Sequence, residues 1–522
     1  DDNEYWANPG NYNETCDTVD NDCDGTTDEA CDDDKDGYCD IVMPMYRSNA
    51  TCPNTPFYSE GQNGDDCNDR AAGTNPGAAE VCNDSIDNNC NGQIDENCNT
   101  STGNTITAAS CNLADVQAAV NSANEGDIVL VPSGSCSWSS KVNVYKGITL
   151  KGAGIDNTII SASGEVVNLE VNSGKAPRLT GFTFNGGAST DGIIKIRGLV
   201  NGFRIDHCKF ANQEQRAIGL YYSAASGLVD NCIFMDYGVQ GILVKVGATE
   251  SETIWTTETH LGGGDAVYVE DCIFDQEGNY EPAIDVYGAG KVVFRFNELI
   301  DAWTLNHGFE SARSGIKLEV YDNSYTSTIS KWDSWAANSF RGGTGIMFDN
   351  TLSADTSNNL GWQKPLILKD YCSCTSVNCA CHKYTDMSNC EQLSYGYACS
   401  SYPCPDQVGR TYNQMLEPIP IFNNLFNGVL QDAEVYPGSG CYDDGFSAYD
   451  SIKENRDFYN ENTNCDSTQT TGVCRGTYNN RPSTCTKGVY FWAIDKGGDW
   501  NKTNSTANDG ALYQCDGNNN WV

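Results

Sequence analysis

Between about residues 105 and 352 the chain alternates short β-branched and aromatic runs with single Gly, Asn and Asp residues, and the apolar positions recur. Equivalent slots fall at Phe182, Cys208, Cys232, Cys272, Asn297, Asn323 and Asn350, at intervals of 26, 24, 40, 25, 26 and 27. Two residues after each slot stand Phe184, Phe210, Phe234, Phe274, Leu299, Tyr325 and Leu352, all large and apolar. Three residues before stand Leu179, Ile205, Val229, Val269, Phe294, Val320 and Met347. A further column reads Ile194, Ile218, Ile242, Ile284 and Phe309. Alternation of this kind predicts short strands. The one long interval is expected to hold a loop near 249–264. The period is too short for a propeller blade, heptads are absent and the leucine-rich frame is missing. What remains is a solenoid in which each repeat is one coil of strands and turns.

Coils stacked at the ~4.8 Å strand spacing would bring equivalent side chains into ladders. Asn297, Asn323 and Asn350 would then hydrogen-bond amide to amide along the axis at one turn. Cys208, Cys232 and Cys272 occupy the same slot and are expected to be small buried apolar residues rather than reactive thiols, a disulfide between two of them being the lesser alternative. The repeat returns late, because Ile421–Phe426 aligns with Met347–Leu352 at an interval of 74. The Cys-rich stretch from about 353 to 418 is therefore expected to be an insertion in one coil. Leu113–Val120 has helical periodicity and Gly126–Pro132 reads as a first strand, so an amphipathic helix is expected to cap the entry coil. Cys111 and Cys136 are expected to staple that cap.

The helix followed by Gly126–Gly134 (GDIVLVPSG), the segment Ile148–Gly154 (ITLKGAG) and the Asn and Phe columns resemble the right-handed parallel β-helix, or pectin-lyase-like, family over about residues 105–435. The resemblance implies a right-handed parallel β-helix solenoid over that span, and with the Asp- and Cys-rich flanks the expected fold is all-β, with a disulfide-rich, calcium-loop N-terminal module and a Cys-rich C-terminal module. The expected division is 1–104, 105–440 and 441–522. The family includes polysaccharide lyases, hydrolases, adhesins and phage tailspikes, so it implies little about activity.

Asp and Glu number 71 against 31 Lys and Arg, a formal net charge of −40. Such a field repels nucleic acid and anionic membranes, and attracts cations. No run of ~18–20 apolar residues predicts a membrane span, so neither a nucleic-acid partner nor membrane insertion is expected. The 26 Cys point to an oxidising compartment. The opening residues Asp1–Trp6 form no basic or apolar leader and nothing at the C-terminus resembles an anchor signal, so a processed secreted chain at the cell surface is expected.

Residues 1–100 carry the most legible chemistry. Asp20, Asp22 and Asp24 place carboxylates at alternate positions before Gly25, and Asp28 and Glu29 follow. Asp32, Asp34 and Asp36 precede Gly37 and Asp40. A second copy runs through Asp87, Asn89 and Asn91 to Gly92, then Asp95 and Glu96, and a third acidic knot is Asp65, Asp66 and Asp69. Alternate oxygen donors and a turn Gly wrap a hard cation, as in the first half of a calcium loop. The stretch from Asp65 through Asn75–Ala78 to Cys82 and Glu96 resembles the metal-binding repeat of bacterial surface proteins, a family often labelled copper-binding. The donors here suit Ca²⁺ rather than copper. The four His residues (His207, His260, His307, His382) all lie elsewhere. The bland alternative is a solvated, disulfide-stapled acidic spacer.

Other constellations weigh less. Cys372, Cys374, Cys379, Cys381 and His382 lack the haem attachment spacing and read as disulfide cysteines rather than a zinc or iron–sulfur site. Asp206, Asp230, Glu270 and Arg295, two residues before the ladder slot, would line one outer face. β-Helix uronate lyases, which this pattern resembles, use stacked carboxylates to hold Ca²⁺ and an Arg or Lys as base. Arg204, His207, Arg313 and Lys317 are nearby candidates for that role, yet such a row usually reads as solvated surface. The stretches 307–310 and 341–345 read as loop or turn elements. Four glycosylation sequons, beginning at Asn13, Asn49, Asn99 and Asn501, are weak signals in an Asn-rich chain. No catalytic residue is assigned. The leading expectation is an extracellular structural protein, self-associating as a homo-oligomer or filament and stabilised by Ca²⁺ and disulfides. The alternatives are a secreted lyase or hydrolase of acidic polysaccharides, or a glycan-binding adhesin.

Overall fold

The structure is a computed structural model. It describes residues 31–32, 35, 37–39, 44–45, 52, 62–63, 66–68, 73–78 and 87–90 of the N-terminal part. Beyond that it describes 103–171, 176–198, 201–221, 226–245, 261–262, 264–307, 314–328, 336–354, 364–368, 408–435, 452–497, 500 and 510–522. Two compact units are present, Asp1–Thr102 and Gly103–Val522.

The second unit contains three long sheets of 12, 11 and 10 strands among the described residues. The first sheet includes Arg178–Thr180, Asn201–Asp206, Ser226–Asp230, Val267–Glu270, Lys291–Arg295, Lys317–Tyr321, Thr344–Phe348 and Ile419–Phe422. The second includes Thr183–Asn185, Lys209–Ala211, Ile233–Met235 and Ile273–Asp275. The third includes Ile194–Arg197, Arg216–Tyr221, Gln240–Lys245, Pro282–Tyr287, Trp303–Asn306 and Ala336–Phe340. Each coil gives one strand to each sheet in turn and pairs in parallel with the coils before and after it, which defines a parallel β-helix. The first strand of the coil is Thr105–Thr107, one strand earlier than the expected Gly126–Pro132 entry, whose strand Ile128–Leu130 pairs with it.

The columns stack as the spacing requires. Leu179, Ile205, Val229, Val269, Phe294, Val320 and Met347 are successive partners, and Ile421 follows Met347 across the insertion. Phe184, Phe210, Phe234 and Phe274 stack ring on ring at 5.6, 4.9 and 4.6 Å. Between the first and second sheets the chain turns through one left-handed residue per coil. These are His207, Asn231, Asp271, Phe296, Asp322, Asp349 and Asn423, with φ from +49° to +56°. Most are Asn or Asp, the side chains that enter this region most readily.

The next residue points inward and forms the ladder. The Asn350 amide donates to Asn424 Oδ1 at 2.8 Å, Asn323 to Asn350 Oδ1 at 3.0 Å and Asn297 to Asn323 Oδ1 at 3.0 Å. The Cys272 backbone N–H donates to Asn297 Oδ1. Thiols continue the column: Cys272, Cys232 and Cys208 donate to the carbonyls of Val229, Ile205 and Leu179 in the preceding coils. All three are buried and unpaired by disulfides. Burial pushes the Cys208 and Cys232 thiols well above their ordinary value, so they behave as small core residues.

The helix α1 (Leu113–Ser122) buries Val116, Ala119 and Val120 against the entry coil. The Cys111–Cys136 disulfide ties it there, and the buried Trp138 indole donates to the Cys111 carbonyl at 2.9 Å. A Cβ on Gly134 would lie 2.8 Å from Cys111 Sγ, which explains the glycine.

One feature departs from the columns as read, and two others were not read from them. The partner of Ile284 is Thr304, not Phe309, which lies outside the described residues. A register shift between Pro282 and Ile284 draws Trp303–Asn306 into the sheet early. The core there is polar: Thr304 and Tyr325 both bond Asn338 Oδ1, at 2.5 and 2.8 Å. Second, the Cys cluster at 372–382 lies outside the described residues, although Lys364–Leu368 of the insertion adds a strand to the third sheet. Third, the C-terminal region packs on the outer face of the first sheet. Tyr321, Phe348 and Phe422 stack there at 4.7 and 5.1 Å. Trp492 lies 5.0 Å from both Phe348 and Phe422, and Trp500 meets Tyr321 and Phe348 edge-on. Disulfides Cys465–Cys474 and Cys485–Cys515 staple this region.

Candidate functional site

On the first sheet, the columns of alternate outward residues contain Asp206, Asp230, Glu270 and Arg295 as successive partners. They are not solvated. Asp206 is 0% and Asp230 3% exposed. Arg178 donates to both Asp206 oxygens at 2.7 and 2.8 Å, and Arg204 to both Asp230 oxygens at 3.0 and 2.9 Å. Arg295 donates to Glu270 at 2.7 Å and to the Tyr321 hydroxyl at 3.1 Å. His207 Nδ1 and the Thr180 hydroxyl also reach Asp206. Burial works to raise the Asp206 carboxyl, but the hydrogen bonds from Arg178 and His207 prevail and hold it below the ordinary carboxylate range. These carboxylates are committed to guanidinium partners, so the row is an ion-pair ladder. Lys317 is likewise committed, 3.0 Å from Glu319, with both side chains buried. Arg313 lies outside the described residues.

The ladder supports a stability prediction. Arg204→Met leaves the Asp230 carboxylate buried without its guanidinium. Breaking such a pair costs roughly 3–5 kcal/mol when fully buried. Arg204 is 30% exposed, so solvent screening reduces the expected loss to about 2 kcal/mol. The urea midpoint of the purified chain measures it, and an unchanged midpoint would show that the pair contributes nothing.

The outer face of the third sheet holds a different set. Ile194, Ile218, Ile242 and Ile284 point into the core, and the residues three further on point out: Arg197, Tyr221, Lys245 and Tyr287, successive partners in register. His307 follows, its N–H bonded to the Val286 carbonyl and its ring stacked 3.7 Å from that of Tyr287. Arg341 comes next, its N–H bonded to the Asn306 carbonyl. The result is a row of cationic and aromatic side chains, one per coil, in a chain of net charge −40. Lys245 is half-buried and makes no ion pair or side-chain hydrogen bond among the described residues. Arg197 has Asp191 at 4.0 Å.

Beside the row lies a buried polar group. Asp285 is 1% exposed and accepts from Gln240 Nε2 at 2.9 Å; its other oxygen is 3.3 Å from His307 Nδ1. Arg216 bonds both Gln240 and the Thr190 carbonyl. Lys195 pairs with Asp191, and its ammonium lies 5.1 Å from the Tyr221 ring centre. The sequence reading missed this face. Stretches 307–310 and 341–345 read as loop or turn elements, and His307 and Arg341 are indeed the first residues after the strands Trp303–Asn306 and Ala336–Phe340 of the third sheet. Counting three residues from the second isoleucine column would have found the first four members.

A cleft of about 430 Å³ opens at the turn before the third sheet, lined by Asn212, Glu214, Asp236, Asn279 and Glu281 among others. Asn279 donates to Asp236 at 2.9 Å.

Of the expected metal donors, Asp32, Asp66, Asp87 and Asn89 fall in the described residues. Asp20, Asp22, Asp24, Asp28, Glu29, Asp34, Asp36, Asp40, Asp65, Asp69, Asn91, Asp95 and Glu96 lie outside them. Asp32 accepts the Gly37 N–H at 3.1 Å and the fully buried Asp66 accepts the Asn68 N–H at 2.7 Å. Disulfides Cys39–Cys52 and Cys67–Cys90 staple the segment. Asp66, Cys67 and Cys90 converge, but both sulfurs are consumed by their disulfide. No thiolate is left there for a soft metal, and residues 1–102 contain no His. Among the described residues, Asp32, Asp66, Asp87 and Asn89 are oxygen donors.

The Cu-binding_MopE family model, described as a "Putative metal-binding motif", matches residues 1–29 and 66–96. An alginate lyase from Paenibacillus sp. str. FPU-7 is similar over 51% of this chain and 93% of its own, with 13% identity and a TM-score of 0.31. The catalytic domain of a GH87 alpha-1,3-glucanase in complex with nigerose covers 65% of this chain and 66% of its own, with 11% identity and a TM-score of 0.25. Similarity at that level bears on neither activity nor substrate. No curated protein matches the chain. The fold and motifs define a disulfide-stapled parallel β-helix protein with metal-binding motifs at its N-terminus. Among the described residues, no helix is long and apolar enough to cross a membrane.

Proposed function

We propose that this chain is an extracellular protein that binds acidic polysaccharides along the outer face of its third sheet. The observation that carries the reading is the row Arg197–Tyr221–Lys245–Tyr287–His307–Arg341. A charged row on a solenoid of net charge −40 should be acidic by composition, and this one is cationic. Its members repeat at the ~4.8 Å coil spacing, close to the advance of one sugar in an extended glycan. A chain lying along the axis would meet the half-buried Arg197, Lys245 and Arg341 for its carboxylates and Tyr287 for a sugar face, while the buried Tyr221 and His307 back the row. Cleavage at this face, as a lyase or hydrolase, is the further step of this reading. The test is titration of the full chain with polygalacturonate and with a neutral glucan, read by calorimetry. Saturable binding of the polyuronate alone is expected; equal or absent binding of both would sink the reading.

The N-terminal motifs are read as Ca²⁺ sites that stiffen this module outside the cell, where disulfides persist. Removing Ca²⁺ with excess EGTA is expected to speed proteolysis within residues 1–102 severalfold and to leave the β-helix intact. An unchanged cleavage pattern would count against calcium.

A second reading is structural: a self-associating surface protein, a filament subunit, whose N-terminal and C-terminal regions are each stapled by disulfides. Sedimentation at increasing concentration, with and without Ca²⁺, tests it. A single monomeric species throughout would remove it.

A further inference from the structure

We propose that Arg481, stacked on Tyr478 in the C-terminal region, is a carboxylate-binding group, and that with Tyr513 and Lys496 it forms a second site, for one uronate unit of an acidic glycan. The inference rests on the acidic-glycan reading for its ligand; the site itself is argued without the row on the third sheet.

The C-terminal region contains a three-stranded sheet of Val473–Gly476, Tyr490–Ala493 and Ala511–Gln514. Strand alternation gives it two faces. Tyr490 and Trp492 join the cluster that covers the first sheet of the β-helix. Cys474, Phe491 and Tyr513 are partners in register and belong to the other face, together with Ala493. Phe491 is buried there, and Tyr478, Tyr513 and Trp521 pack against that cluster while remaining half-exposed. The Tyr478 and Tyr513 ring centres are 5.0 Å apart.

The Arg481 guanidinium carbon lies 3.7 Å from the centre of the Tyr478 ring, and its Nη1 donates to the Tyr478 carbonyl at 2.8 Å. Stack and bond together fix the planar group. Its Nε and Nη2 make no hydrogen bond among the described residues, and Arg481 makes no ion pair there. That edge is the one that grips a carboxylate through two parallel bonds. A guanidinium already held in place loses less freedom on binding. Elsewhere in the chain Arg178, Arg204, Arg295, Arg456 and Arg475 each pair with a carboxylate. With 71 acidic residues against 31 basic ones, an unclaimed guanidinium is the exception. The exposed Lys496 adds a second cation, its ammonium 5.4 Å from the Tyr478 ring centre and without an ion pair among the described residues. The neighbouring Asp495 accepts the Tyr478 backbone N–H. Residues 498–499 and 501–509 lie outside the described residues. A neutral sugar would use only the rings, and an acidic peptide only the cations. A uronate uses both, its carboxylate on the Arg481 edge and its C–H face on the Tyr513 ring.

NMR of the full chain tests this. The Arg481 Nε–H signal, identified by its absence from Arg481→Lys, is followed as galacturonate is added. Galacturonate is expected to move the signal to saturation, and glucose at the same concentration to leave it in place. An Arg481 signal that galacturonate does not move overturns the proposal. Tyr513→Leu keeps an apolar cover on Phe491 and is expected to weaken galacturonate about fivefold at the same signal. Unchanged affinity in that variant, or a glutamate peptide that binds as tightly, would show that a carboxylate alone is recognised and would overturn the sugar site. If the signal saturates while Lys245→Glu leaves polygalacturonate binding undiminished, the third-sheet row falls and this site stands. If Lys245→Glu weakens the polymer and galacturonate never moves the Arg481 signal, the row stands and this site falls.

Discussion

Phe234→Ala is expected to lower the unfolding free energy of the β-helix by about 3–5 kcal/mol, the range for emptying a buried Phe site. Phe234 is fully buried between Phe210 and Phe274, with ring centres 4.9 and 4.6 Å away. The cost should lie high in that range because the site cannot collapse. Strands above and below are pinned by parallel ladders at ~4.8 Å, so neighbouring rings cannot close the gap without breaking backbone hydrogen bonds. Phe234→Leu retains most of the volume and should cost about 1 kcal/mol. Guanidinium unfolding followed by circular dichroism measures both. Equal effects for Ala and Leu would mean that the ring does not sit in a stacked core.

Lys245→Glu is expected to weaken polygalacturonate binding by at least tenfold, or about 1.4 kcal/mol. Lys245 lies within the row, with no counter-ion among the described residues to absorb the change. Reversal removes one attraction and adds one repulsion, each worth up to about 4 kcal/mol at contact near a protein surface. The loss should shrink as salt rises, because the Debye length falls to about 8 Å at physiological ionic strength. Lys209→Glu makes the same charge change on the second sheet and is expected to leave binding within about twofold. Equal losses in both variants would show that net charge, and not the row, governs affinity.

These two outcomes test parts of the molecule that differ in how plainly the sequence displays them. Phe234 was legible because its column repeats with nearly constant spacing. The Asn ladder was legible for the same reason, and its continuation into Cys208, Cys232 and Cys272 followed from position alone. Lys245 was not legible as a site residue. It carries no motif, and its significance depends on neighbours 24 and 42 residues away, at Tyr221 and Tyr287. The row becomes visible once the isoleucine column is taken as inward and the alternation of the strand is carried outward by three residues. That step fails after Ile284, where the register shift replaces the apolar column with Thr304 and hides His307 and Arg341.

The outer column of the first sheet shows the opposite case. Asp206, Asp230 and Glu270 were visible as a line of acids and suggested either solvated surface or a cation site. Two of the pairings are diagonal, Arg178 and Arg204 each reaching a carboxylate one coil along, while Arg295 meets Glu270 directly opposite, and no single-sequence pattern displays the diagonal ones. Tertiary packing decided it, since each carboxylate is buried against the neighbouring coil and is stabilised only by a guanidinium brought there.

By itself the sequence determined the coil, its ladders, the capping helix with its Cys111–Cys136 staple, and the presence of metal-binding motifs at the N-terminus. Each of these is written in spacing or donor type, and strand geometry converts spacing directly into contact. Only the tertiary structure decided which outward residues share a face and which carboxylates are paired. It also decided that Trp492 and Trp500 cover the first sheet and that Asp285 is buried beside His307. Those relations depend on turn lengths and on packing across coils, where one residue more or less moves a side chain to another column and leaves no periodic trace.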